Sequence, residues 1–145
     1  MKTNLVLGLG LLLLVGVGYW LSGERGRVPE QVVTVPDQCR FSAEPCAVVI
    51  GGRSIVFRVM GQAAPLVKFT IEVRGAGLER VSADFEMKDM QMGSNRYLLK
   101  RGSGGGWRAD VMLPVCASGR RDWLAYYDIQ LEGGMRYRVV YPFSM

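Results

Sequence analysis

The chain has 145 residues, room for one ordinary domain and a targeting segment but not for two domains. It contains no histidine, which excludes Ser-His-Asp and Cys-His catalysis, His-ligated zinc and ordinary Cu(II) sites. Its 18 Lys and Arg against 13 Asp and Glu make a basic excess too small and too scattered to argue for a nucleic-acid partner.

Residues 5–21 are an unbroken uncharged run, led by Lys2 and closed by Tyr19 and Trp20, the aromatic pair expected at a membrane interface. As a helix the run spans roughly 26 Å, close to the thickness of a bilayer's hydrocarbon core. Lys2 would also serve as the minimal positive region of a cleavable signal peptide. Against that stand the length of the run and its exit through Tyr19, Trp20, Leu21, Ser22 and Gly23, which lacks a small-x-small cleavage pattern. Without a cysteine in the segment there is no lipoprotein box. The expectation is a single-pass anchor over residues 1–22 in a bacterial inner membrane, with the remainder in the periplasm. Residues 23–45, with Gly, Pro, Glu and Arg around a short valine patch at 32–35, read as a linker that ends in a first extended segment.

From residue 46 to 145 the pattern is one of short β-branched and aromatic runs separated by turn residues. It predicts strands over 47–50, 54–60, 66–73, 78–87, 95–101, 107–113, 122–131 and 135–141. Val67, Phe69, Ile71 and Val73 alternate with Lys68, Thr70, Glu72 and Arg74, so one face of that strand is buried. Gly51-Gly52 and Gly133-Gly134 suit tight hairpins. Eight short strands in about 100 residues predict an all-β domain, an antiparallel β-sandwich of immunoglobulin-like type.

Export would place Cys39, Cys46 and Cys116 in an oxidising compartment, where one disulfide is the default and one thiol remains. A Cys39–Cys46 bridge closing a small loop leaves Cys116 free, while Cys46–Cys116 and Cys39–Cys116 stay open as alternatives. Met87, Met90 and Met92 fall within six positions at a strand end. Clustered thioethers are soft ligands that select Cu(I), and methionine is equally a filler of irregular cores. Successive strands alternate in direction, so strand parity puts every cysteine and all three methionines at one pole and the glycine hairpins at the other. Counted this way, the sulfur-bearing pole is also the one nearest the anchor. Asp84, Glu86 and Asp89 read as a solvated acidic surface.

Three stretches carry a resemblance: Met90-Gln91-Met92 before a strand, Trp107-Arg108-Ala109-Asp110-Val111-Met112-Leu113-Pro114, and Gly119 followed by Trp123. Together with the single amino-terminal anchor they resemble the FixH and YtkA-like membrane-anchored periplasmic domains, over about two thirds of the chain. The resemblance implies a CopC-like or immunoglobulin-like sandwich with an accessory role in copper handling or respiratory haem-copper oxidase assembly. On it, Met90 and Met92 fall on the family's Met-x-Met turn. Three cysteines, the missing histidine and Arg120-Arg121-Asp122 depart from the family pattern. The leading expectation is a non-enzymatic, periplasmic Cu(I) carrier with Met87, Met90, Met92 and Cys116 as ligands, handing copper to a membrane protein complex such as the oxidase or a copper chaperone. The alternative is an interaction module that docks on a membrane complex and holds no metal.

Overall fold

The computed structural model describes residues 31–42, 44–90, 93–115 and 119–145. The expected anchor, Met92 and Cys116 lie outside these residues. Among the described residues the protein is all-β, and no helix is long and apolar enough to cross a membrane. The strands are β1 (Gln31–Thr34), β2 (Cys46–Ile50), β3 (Arg53–Met60), β4 (Lys68–Arg74), β5 (Leu78–Met87), β6 (Arg96–Leu98), β7 (Lys100–Arg101), β8 (Trp107–Met112), β9 (Asp122–Leu131) and β10 (Arg136–Ser144).

Two five-stranded sheets result, the first ordered β1-β10-β9-β5-β6 and the second β2-β3-β4-β8-β7. Period-two patterning builds them. In β9 every second residue, from Trp123 to Leu131, is buried, while Leu124, Tyr126, Asp128 and Gln130 face outward. The two inner faces meet in one core, with Phe57 of β3 against Tyr127 of β9 at 5.0 Å between ring centroids and Phe69 of β4 against Phe85 of β5 at 6.4 Å. The β2–β3 hairpin turns on Gly51 and Gly52, with φ of 57° and 74°, the successive positive values that a two-residue hairpin matching strand twist requires.

Three features differ from the sequence reading. The predicted strand over 95–101 is two strands, because the chain crosses between sheets at Leu99: β6 pairs with β5, β7 pairs with β8, and Leu99 is buried between them. The strand predicted to start at residue 66 starts at Lys68. Leu66 takes a left-handed φ of 57°, which breaks the alternation and leaves Val67 exposed. Finally, the later part of the expected linker belongs to the domain. Its valine patch forms β1, which pairs in parallel with β10, and Val35 and Phe41 pack on the core.

Candidate functional site

Strand direction places residues 39–42, 61–67, 88–90, 93–95, 113–115 and 119–121 at one end of the sandwich, together with Met145. Backbone hydrogen bonds tie them into one surface. Leu66 N donates to Leu113 O at 2.9 Å, Val59 N to Ser42 O at 3.0 Å, Lys88 N to Asp122 O at 3.2 Å and Met145 N to Arg121 O at 3.0 Å. The parity argument therefore holds for Cys39, Cys46, Met87 and Met90, while Met92 and Cys116 lie outside the described residues. Its corollary, that the chain enters the domain from that same pole, does not hold. Because β1 is parallel to β10, Gln31 stands beside Tyr137 at the opposite pole, that of the glycine hairpins. Gln31 thus enters the domain at the far end from Met87 and Met90. The long connection from β1 to β2 runs the length that simple hairpin counting omitted.

The methionines divide. Met87 ends β5 opposite Trp123 and is 2% exposed, a core side chain whose sulfur is enclosed by its neighbours. A turn follows at once: Met90 N donates to Met87 O at 3.2 Å, and Asp89 has φ of 59°. Asp tolerates that left-handed conformation better than most residues. Met90 emerges half-buried against the edge of the core. Asp84 and Glu86 face outward on β5, as a solvated surface requires.

Cys39 and Cys46 form a disulfide, with Cα atoms 5.5 Å apart. It closes a loop whose Phe41 stacks on Phe143 at 4.0 Å and meets Tyr141, Phe69 and Phe85 edge-on. Tyr141 donates its hydroxyl to Arg40 O at 2.7 Å, and burial pushes its pKa up to about 12. These contacts make the loop a lid on the core rather than a reactive thiol pair. Among the described residues no group of three or more His, Cys, Asp or Glu converges to hold a metal ion.

What the pole presents instead is apolar surface. Leu66 and Val67 before β4, and Met112 and Val115 at and just past the end of β8, are 63%, 45%, 49% and 58% exposed, and the two segments are joined by the Leu66–Leu113 hydrogen bond. Beside them lies a cleft of about 230 Å³ lined by Pro65, Pro114, Arg120, Arg121, Trp123 and Met145. Arg120 donates to Asp122 and holds that carboxyl below its ordinary value. Sequence patterning hid this patch, since Leu66 and Val67 look like the start of a buried strand. The one available signal was Pro65, which ends a ladder and here precedes the left-handed Leu66. Comparison with known proteins finds no matching family model, no matching curated protein and no matching solved structure.

Proposed function

We propose that the protein is a membrane-tethered, non-enzymatic periplasmic accessory module on an immunoglobulin-like sandwich, and that its sulfur-bearing pole docks on a membrane protein complex. Strand order supports the fold assignment. With β3, β4, β8 and β7 taken as A, B, E and D, and β10, β9, β5 and β6 as G, F, C and C′, both sheets follow immunoglobulin order, with β1 and β2 as additions. The observation that carries the docking is the exposed group of Leu66, Val67, Met112 and Val115, rimmed by Arg121 and by Lys68 and Arg120, which pair with Asp110 and Asp122. Exposed apolar side chains gathered at one end of a domain mark interaction sites, and a rim of paired charges suits a partner that presents both polar and apolar surface. The resemblance to FixH and YtkA-like domains points to a respiratory haem-copper oxidase or its copper chaperone as that partner. A photocrosslinker at Val115 of the full chain in native membranes should trap one integral membrane species, and Leu66→Ser should abolish the adduct. The same adduct from a crosslinker at Val49, exposed on β2, would refute docking by this pole.

A second reading keeps Cu(I) as the cargo. The turn bearing Met90 and the connection ending at Asp122 are tied together by the Lys88 hydrogen bond, which favours a shared site. With Met87 in the core and two cysteines bridged, Met90, Met92 and Cys116 are the ligand set of this reading. Anaerobic Cu(I) titration against a competing chelator should give stoichiometric binding that the Met90→Leu, Met92→Leu double variant loses. Well-folded protein that binds no Cu(I) would end the copper reading and leave docking intact.

A further inference from the structure

The outward face of the first sheet is electrostatically divided. In the half toward the glycine pole, Arg80, Gln130 and Arg136 stand in register across β5, β9 and β10. Arg138 and Arg96 complete an open groove of about 310 Å³ lined by four arginines and one carboxylate, Asp128, with Glu79 at its edge accepting from Gln130 Nε2 at 3.0 Å. Asp128 orients two of the arginines: its Oδ1 accepts from Arg138 Nε at 2.7 Å and its Oδ2 from Arg96 Nη2 at 2.9 Å. Arg96 Nη2 also donates to Ser82 Oγ at 2.9 Å. The other half of the face carries Asp84, Glu86 and Asp122.

One row of this face crosses all five strands: Leu98, Ser82, Asp128, Arg138 and Val32. Its two ends are apolar and open, Leu98 at 60% and Val32 at 65% exposure. A basic centre with apolar flanks is the pattern of surfaces that lie at a lipid interface. Guanidinium groups match phosphate oxygens with paired hydrogen bonds. The position of the groove in the chain favours lipid over a soluble anion. Val32 pairs with Arg138, so Gln31 enters the domain at the rim of the groove. If residues 5–21 span the bilayer, the connecting residues 22–30 reach at most about 30 Å. The groove is then confined close to headgroups at all times, which raises their effective concentration.

We propose that this arginine groove seats the phosphodiester headgroups of anionic phospholipids. The tethered domain then rests on the bilayer by the basic half of its first sheet, and its acidic half is held away. The sulfur-bearing pole is turned sideways along the membrane, where a neighbouring complex can reach it. This rests on the tethered reading above.

The test uses the full chain with a photocrosslinking side chain in place of Leu98 or Val32, reconstituted in phosphatidylcholine discs or in discs of equal phosphatidylcholine and phosphatidylglycerol. Lipid adducts should form in the anionic discs and fall about tenfold in the neutral discs, in raised salt and in the Arg80→Glu, Arg136→Glu double variant. An unchanged melting temperature shows that the variant is folded. Equal adducts in both lipids, or in the double variant, would overturn the proposal. So would suppression of the adducts by inorganic phosphate but not by sodium chloride of equal ionic strength, which would assign the groove to a soluble anion. An alkaline wash separates the two readings. If it strips the full chain from membranes, the tether fails. The groove is then judged by flotation of the chain with the same two lipid mixtures: binding to anionic vesicles alone supports it, and no binding overturns it.

Discussion

Replacing Met87 by alanine should cost the domain about 3 kcal/mol, whereas leucine should cost less than about 1.5 kcal/mol. The side chain is 2% exposed and stands opposite Trp123, so truncation removes three heavy atoms from a closed part of the core. At about 0.8 kcal/mol for each methylene-sized group the transfer loss is about 2.4 kcal/mol, and the residual cavity adds the rest. Leucine keeps most of the volume. Urea unfolding followed by tryptophan fluorescence reads the effect directly: with a slope of about 1.5 kcal/mol/M, the alanine midpoint drops by about 2 M while the slope is unchanged. Cu(I) affinity of the leucine variant should equal that of the parent. A stable alanine variant, or a folded leucine variant with weakened copper binding, would refute the assignment of Met87 to the core and return it to the ligand set.

The Cys39–Cys46 bridge closes a loop of eight residues, and chain-entropy arithmetic gives about 2.5 kcal/mol of stabilisation. Reduction should therefore lower the urea midpoint, and thiol counting under oxidising, denaturing conditions should find a single reactive cysteine; two or three would contradict the pairing. Glu72 is 2% exposed on the outer face of β4, its Oε1 accepting from Arg74 Nη2 at 2.9 Å and Arg108 Nε at 2.6 Å. The Arg74 hydrogen bond, with Arg108 behind it and against the opposing effect of burial, lowers its pKa from the ordinary 4.5. A lowered folded-state pKa stabilises above the unfolded value and is lost as pH falls through the folded one. Wild type should thus lose stability more steeply than Glu72→Gln below about pH 4.5, and parallel acid limbs would show that the pair contributes nothing. At the alkaline end the sign is the opposite. Burial raises Tyr141 to about 12, so its contribution is complete below about pH 10 and fades above it as the unfolded chain ionises. Tyr141→Phe should flatten that limb.

The two poles give the molecule a direction. Gln31 enters at the glycine pole, beside the arginine groove, and the sulfur-bearing pole lies at the far end of strands up to ten residues long. A domain standing upright on its tether would hold that pole about 30 Å or more from the bilayer surface. Resting on the groove brings it down, which is how the two proposals depend on each other mechanically while remaining testable apart.

Local periodicity determined most of the fold. The alternation in 68–74 and 122–131, and the paired glycines at 51–52, specify strands and hairpins because a strand's side chains have a period of two and such turns need positive φ. Strand count alone also placed Met87, Met90 and the Cys39–Cys46 bridge at one pole, since antiparallel neighbours must alternate. Only tertiary structure decided the rest. Whether Met87 is a ligand or a core filler depends on what stands across the sheet from it, and Trp123 lies 36 residues further along the chain. The direction of β1 follows from its pairing with β10 over a hundred residues away, so the pole at which Gln31 enters was beyond any local pattern. Leu66 and Val67 have the composition of a buried strand and are exposed because one left-handed residue turns the chain. The arginine groove draws its members from four strands, and no stretch of sequence brings Arg80, Arg96, Arg136 and Arg138 together before the sheet does.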